Sequence, residues 1–156
     1  MESSFSGNVE GLHKLVKALG DKHWIKLGIF GAKDSRNGKN QENDNAYLAA
    51  IHELGKPSKR IPQRSFLRMP MTACAKEIMQ EGSRGAESFL AKGDKITVLK
   101  RIGIAAEGAL DDAFASHGFG TWAPNTPYTV AMKGSDSPLI DTGQLRRAVD
   151  SEVMEG

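Results

Sequence analysis

Few side chains in this chain are placed to do chemistry. His52 and Glu53 are adjacent near the end of a predicted helix, an arrangement that suggests acid–base work. Neighbours on a helix point about 100° apart, so the two do not converge on one atom. His13, His23 and His117 stand far apart with no metal-ligand spacing. Cys74 lies between Ala73 and Ala75 with Lys76 close by. A nucleophilic thiol needs a base and an electropositive setting, and the helical context reads instead as a buried core thiol. Asp34, Glu42 and Asp44 flank a glycine-containing loop without the spacing of an EF-hand. "GIFGAKDSRNGK" sets glycines after a strand but lacks both the Gly-Lys-Ser/Thr ending of a phosphate loop and the dinucleotide fingerprint. No catalytic residue, cofactor or metal is expected.

The richest local chemistry is "SDSPLIDTGQLRRAVDSEV", residues 135–153. It could be a phosphate loop, a catalytic turn or a helix cap feeding a last strand. Read locally, Gly134 and Pro138 set a turn, and Leu139 and Ile140 bury. Asp141 or Thr142 caps a short helical turn, and Gly143 gives the backbone a tight bend. Leu145 packs inward, and Arg146 and Arg147 face solvent or a partner. A second stretch, "KPSKRIPQRSFLR", is basic. Ile61 and Phe66 are placed to bury, and Arg60, Arg64 and Arg68 remain free beside Lys56 and Lys59. That stretch is a solvated loop with Arg64 pairing locally, a contact for an acidic subunit face, or a weak sequence-blind contact for DNA.

These residues need elements to carry them. Val9, Leu12, Leu15, Val16 and Leu19 recur at helical spacing ahead of Gly20. Residues 24–30 alternate as a half-buried strand, with Ile25, Leu27 and Ile29 on one face. Residues 33–44 are polar around an Asn-Gly turn and are expected to be a mobile loop, plausible as an assembly arm. Asn45 is expected to cap a helix over 46–54 that Gly55 ends. Pro57 and Pro62 make the next stretch extended. A helix is predicted from about 64 to 91, interrupted at Gly82 and Gly85. After Gly93, Asp94 caps a second helix that carries Ile96, Leu99, Ile102, Ala106, Leu110 and Phe114. The two form an antiparallel hairpin. Residues 121–140, with three prolines, read as loop anchored by Trp122, Tyr128 and Val130. Residues 148–154 read as a closing strand.

The chain has 156 residues, 39% of them apolar and 26% charged, which suits one globular domain over 1–156. One cysteine allows no intrachain disulfide. A formal charge of +2 does not by itself argue for nucleic acid. The start, "MESSFSGNVEG", has no secretory pattern, and no apolar run approaches the roughly 20 residues that span a bilayer. A cytoplasmic product, or one assembled in the cytoplasm, is expected, without a membrane partner. The fold class expected is α+β, a small, mostly antiparallel sheet with a long antiparallel helical hairpin.

Two stretches carry a family resemblance. "NAYLAAIHELGKPSKRIPQRSFLRMPM" (45–71) resembles the "hEfG…IPaRPFl" segment of phage virion-morphogenesis proteins. "FASHGFGTWAPNTPYTVAMKGSDSPLIDTGQLRRAVDSEV" (114–153) resembles their "PLiDTGqLr" ending, in the same order and across a similar two-helix region. Ser65 stands where the family often has Pro, and Ala123-Pro124-Asn125 replaces the usual sequence after the Trp. The resemblance implies a structural virion protein of the neck or head-proximal tail end of a long-tailed phage. It implies an oligomeric ring, a hexamer by analogy with sixfold tails, that joins head connector to tail tube or terminator and lets DNA pass. A tail terminator and a small nucleic-acid-binding assembly factor are the alternatives. The resemblance and the local reading together make Arg60, Arg64, Phe66, Arg68, Trp122, Tyr128, Asp141, Thr142, Gly143, Leu145, Arg146 and Arg147 candidate assembly residues. The strand edges at 24–30 and 148–154 are candidates for pairing between subunits.

Overall fold

A computed structural model describes residues 22–34, 44–92 and 94–156. The helix expected at 8–19, Gly93 and most of the polar loop (35–43) lie outside the described residues. Within them the architecture is α+β, as the sequence pattern predicts. Strand β1 (His23–Ile29) pairs antiparallel with β2 (Val149–Glu155), from His23 opposite Glu155 to Ile29 opposite Val149. Among the described residues six α-helices lie between them: α1 (Asn45–Leu54), α2 (Arg68–Ala73), α3 (Ala75–Lys92), α4 (Lys95–Ala115), α5 (Pro127–Lys133) and α6 (Gln144–Ala148).

α3 and α4 form the expected hairpin. Asp94 caps α4 by accepting a hydrogen bond from the Thr97 N–H at 3.1 Å. Gly82 and Gly85 do not interrupt α3; they are its contact face. A Cβ on Gly85 would stand 2.9 Å from Cγ1 of Val98, and one on Gly82 would stand 3.2 Å from Cδ1 of Ile102. Removing side chains at these points lets two helix backbones approach, which offsets the propensity cost of glycine. Glu81 adds ion pairs to Arg84 within α3 and to Arg101 across the hairpin. The long helix expected from 64 divides at Cys74, whose backbone (φ −103°, ψ 20°) leaves the helical region.

α4 is the central element. Its middle lies on the sheet, where Gly103 meets the Ser151 side chain, and the Ser151 N–H donates to the Glu107 carboxylate at 2.8 Å. Its C-terminal end enters the core, where Phe114 sits between Phe66 and Trp122, with ring centroids 5.4 and 5.7 Å apart. Ala49, Ala113 and Leu145 complete the core cluster. After α4 the chain turns through four successive left-handed residues, His117 to Gly120. The Trp122 indole covers the space a side chain on Gly118 would need, and its Nε1–H donates to the Ser65 carbonyl at 3.3 Å.

Three local expectations are corrected. Asn45 is not a cap. It is buried and its amide donates to the Lys33 carbonyl at 2.7 Å, while the Asp34 carboxylate accepts from the Ala46 N–H at 2.7 Å. The two ends of the polar loop are thereby tied together at the start of α1. Residues 127–133 are helix rather than loop. Thr126 caps α5 by accepting from the Thr129 N–H, Pro127 occupies the first turn, where its missing N–H costs nothing, and left-handed Gly134 ends it. In the last corner Gly143, at φ 72°, holds the N-cap position of α6, and neither Asp141 nor Thr142 makes a side-chain cap.

Candidate functional site

The two stretches that carried the resemblance fold against each other. Arg64 is the principal tie. It is 7% exposed; its Nε donates to the Ala123 carbonyl at 2.7 Å and its Nη2 to the Pro124 carbonyl at 2.9 Å. The extended segments on either side of the core are thus clamped by one guanidinium. Its planar fork fits two carbonyls as an ammonium would not. The expectation that Arg64 is free is overturned: its partners lie some 60 residues away, out of reach of any local pattern.

Arg68 is not free either. Glu53, at the end of α1, is buried and accepts from the Ser65 hydroxyl, the Leu67 N–H, and the Arg68 N–H and Nε, with the shortest contacts at 2.7 and 2.8 Å. Burial alone would raise its carboxyl pKa. The bonds from Arg68, Leu67 and Ser65 outweigh that and hold it below the usual carboxylate value. Glu53 therefore staples α1 to the start of α2, and Ser65 is part of the staple. Of the three arginines in the basic stretch, Arg64 alone is buried; Arg68 is exposed although paired, and Arg60 is exposed in a left-handed conformation at φ 55°.

The other candidates divide in the same way. Phe66, Trp122 and Leu145 are core side chains. Tyr128 is 75% exposed on α5. Arg146 Nε pairs with Asp111 of α4 at 2.7 Å, and Arg147 Nη2 donates to the Thr142 carbonyl at 3.0 Å, so both are tethered to the protein at its surface, where Arg147 is exposed as expected. Leu139 and Ile140 are half-buried against the core. Cys74 is half-buried rather than buried; burial pushes its thiol pKa up, with Glu77 and Asp112 adding to the effect, so it is not poised as a thiolate.

A cleft of about 340 Å³ opens beside this tie. α1 supplies Leu48 and His52, the basic stretch supplies Arg60, Ile61, Pro62 and Arg64, α5 supplies Thr129 and Lys133, and the last corner supplies Leu139 and Asp141. His52 and Glu53 point apart as their spacing requires: Glu53 goes to the staple and His52 to the cleft. Burial first, then the charges of Arg64 and Lys133, lowers the His52 pKa to about 4, so the ring is neutral at pH 7. Lys133 is likewise depressed, by burial and by Arg64, against an opposing pull from Asp141. Local patterning missed Lys133 because residues 121–140 read as loop. The signal for α5 was present in Thr126-Pro127 followed by Gly134.

No nucleophile–base pair forms at the cleft, and among the described residues no three His, Cys, Asp or Glu side chains gather to hold a metal ion. Among those residues no helix is long and apolar enough to cross a membrane. No family model matches the chain, and neither a curated protein nor a solved structure matches it.

Proposed function

We propose that this chain is a structural virion protein of the phage neck or head-proximal tail end, working as one subunit of a ring, six copies by analogy with tail symmetry. Its partners are further copies of itself, the head connector and the tail tube or terminator, with passing DNA as a non-specific contact. The observation that carries this reading is the docking of the two motif stretches on each other. Arg64 of "IPQRSF" is clamped to the backbone of "TWAPNT", and Phe66 packs through Phe114 toward Trp122. The motif residues thus act as a scaffold, as expected where a sequence signature records an assembly fold rather than a catalytic centre.

One further feature suits such a role. Among the described residues the sheet has two strands, which leaves one edge of β1 and one of β2 unpaired there, and such edges accept a strand from a neighbour. Head-to-tail packing of one surface on a different surface of the next copy closes into a ring. The nucleic-acid-binding alternative loses ground, because Arg64 and Arg68 are spent on internal bonds. Cryo-electron microscopy of the head–tail junction of particles carrying this chain is the test. A ring of it between portal and tail is expected; its absence from mature particles overturns the proposal.

A further inference from the structure

We propose that the cleft between α1 and α5 is a docking site for an extended acidic segment of a partner polypeptide, with a carboxylate of that segment seated against Arg64 and Lys133. The first argument is charge. Arg64 is buried, yet it donates to carbonyls and to the amide oxygen of Asn125, and among the described residues no carboxylate pairs with it. Buried cations are ordinarily matched by an anion. Here Lys133 lines the same cleft and donates to the Ser137 carbonyl, Arg60 stands at the rim, and Asp141 is the single acidic side chain in the lining. The bonds that hold Arg64 occupy Nε and Nη2 and leave Nη1 outside them.

The second argument is the kind of anion. A polypeptide carries its carboxylate beside apolar side chains, which a free anion lacks. Leu48, Ile61, Pro62 and Leu139 give the cleft apolar walls for the neighbouring side chains of such a segment. Nucleic acid fits less well. No Phe, Tyr or Trp is among the described residues that line the cleft to stack a base, and the chief cation lies at a buried floor rather than along an exposed track for phosphates. The charge of this cleft belongs to the folded chain alone and does not depend on the virion reading.

The test uses the full chain, labelled with nitrogen-15, at low salt. It is titrated with a small set of end-blocked pentapeptides that carry Glu or Asp between aliphatic residues, and with the same peptides bearing Gln or Asn. Saturable shifts are expected at the Arg64 side chain and around residues 60–64, 124–133 and 141–145 with the acidic set, with at least about tenfold weaker binding of the neutral set. Lys133→Gln leaves the backbone spectrum otherwise intact and weakens the acidic set about fivefold or more; Arg60→Gln, on a separate stretch, serves with the same direction of effect where that variant misfolds. Equal binding of both sets, or no shift from any acidic peptide at millimolar concentration, overturns the proposal. So does a stronger response at the same residues to an oligothymidylate or to inorganic phosphate, which would assign the cleft to nucleic acid or to a free anion.

Discussion

The two ends of α4 make a useful comparison. Its C-terminal end is wedged among aromatic rings, where Ala109, Leu110, Ala113 and Phe114 are buried beneath segments drawn from distant parts of the chain. Its N-terminal half packs on α3 at Gly85 against Val98 and Gly82 against Ile102, and Leu90, near the tip of α3, stays exposed. One end is held by long-range packing and the other by close backbone approach at two glycines. Stability is therefore expected to be concentrated at the core end, while the hairpin tip contributes apolar surface more than cohesion.

The strongest way to break that comparison is Phe114→Ala. Removing a fully buried ring is expected to cost about 3–5 kcal/mol in urea unfolding, whereas Leu90→Ala at the tip should change stability by less than about 0.5 kcal/mol. Similar costs at both ends would mean the core is not where stability resides. Next comes Arg64→Met, which keeps much of the volume but leaves the Ala123 and Pro124 carbonyls without their donor. A loss of about 2–3 kcal/mol is expected.

The hairpin offers a paired test with opposite signs. Gly85→Ala places a methyl against Val98 and should destabilise by about 1–3 kcal/mol. Gly108→Ala, also helical and with open space where its Cβ would go, should stabilise by about 0.4–1 kcal/mol. If Gly85→Ala were as benign as Gly108→Ala, close approach would not be what joins the helices.

The smallest and most diffuse effect is on pH. His52 has a folded pKa of about 4 against 6.5 when unfolded, so the unfolded chain binds its proton first as pH falls. Its contribution is fully present above 6.5 and is lost between 6.5 and about 4. Glu53 is shifted down, so its contribution is present above its unfolded value of 4.5 and is lost as pH drops further through the folded value. Chemical denaturation across pH should therefore show two successive losses. His52→Gln should flatten the upper one and Glu53→Gln the lower.

How much of this was legible in the sequence follows from the range of each interaction. Strands β1 and β2, helix α1, helix α4 and the Asp94 cap were readable because alternation, helical spacing and capping are properties of neighbouring residues. The division at Cys74 was not, since no proline or glycine marks it. α5 was hidden by the prolines around it, although Pro127 in a first turn favours a helix rather than ending one. The fates of Arg64, Arg68, Arg146 and Arg147 were the least legible. A charged side chain looks free until its partner is known, and Arg64 and Arg146 find theirs 59 and 35 residues away. For the same reason the cleft was invisible: it is assembled from four separate stretches, and its lysine sits on the helix that patterning missed.

The pairing of β1 with β2 also bears on how the chain is made. His23 meets Glu155 across a sheet whose two strands flank every described helix in sequence. On the ribosome the α3–α4 hairpin can close as soon as it emerges, because its contacts are local. Strand β1 must wait, with its apolar face uncovered on the sheet side, until β2 has been synthesised. Pairings of such long sequence separation form slowly. The interval in which β1 stands alone is when a nascent chain of this topology is most open to the wrong strand, whether from a neighbouring copy or from a chaperone's client site.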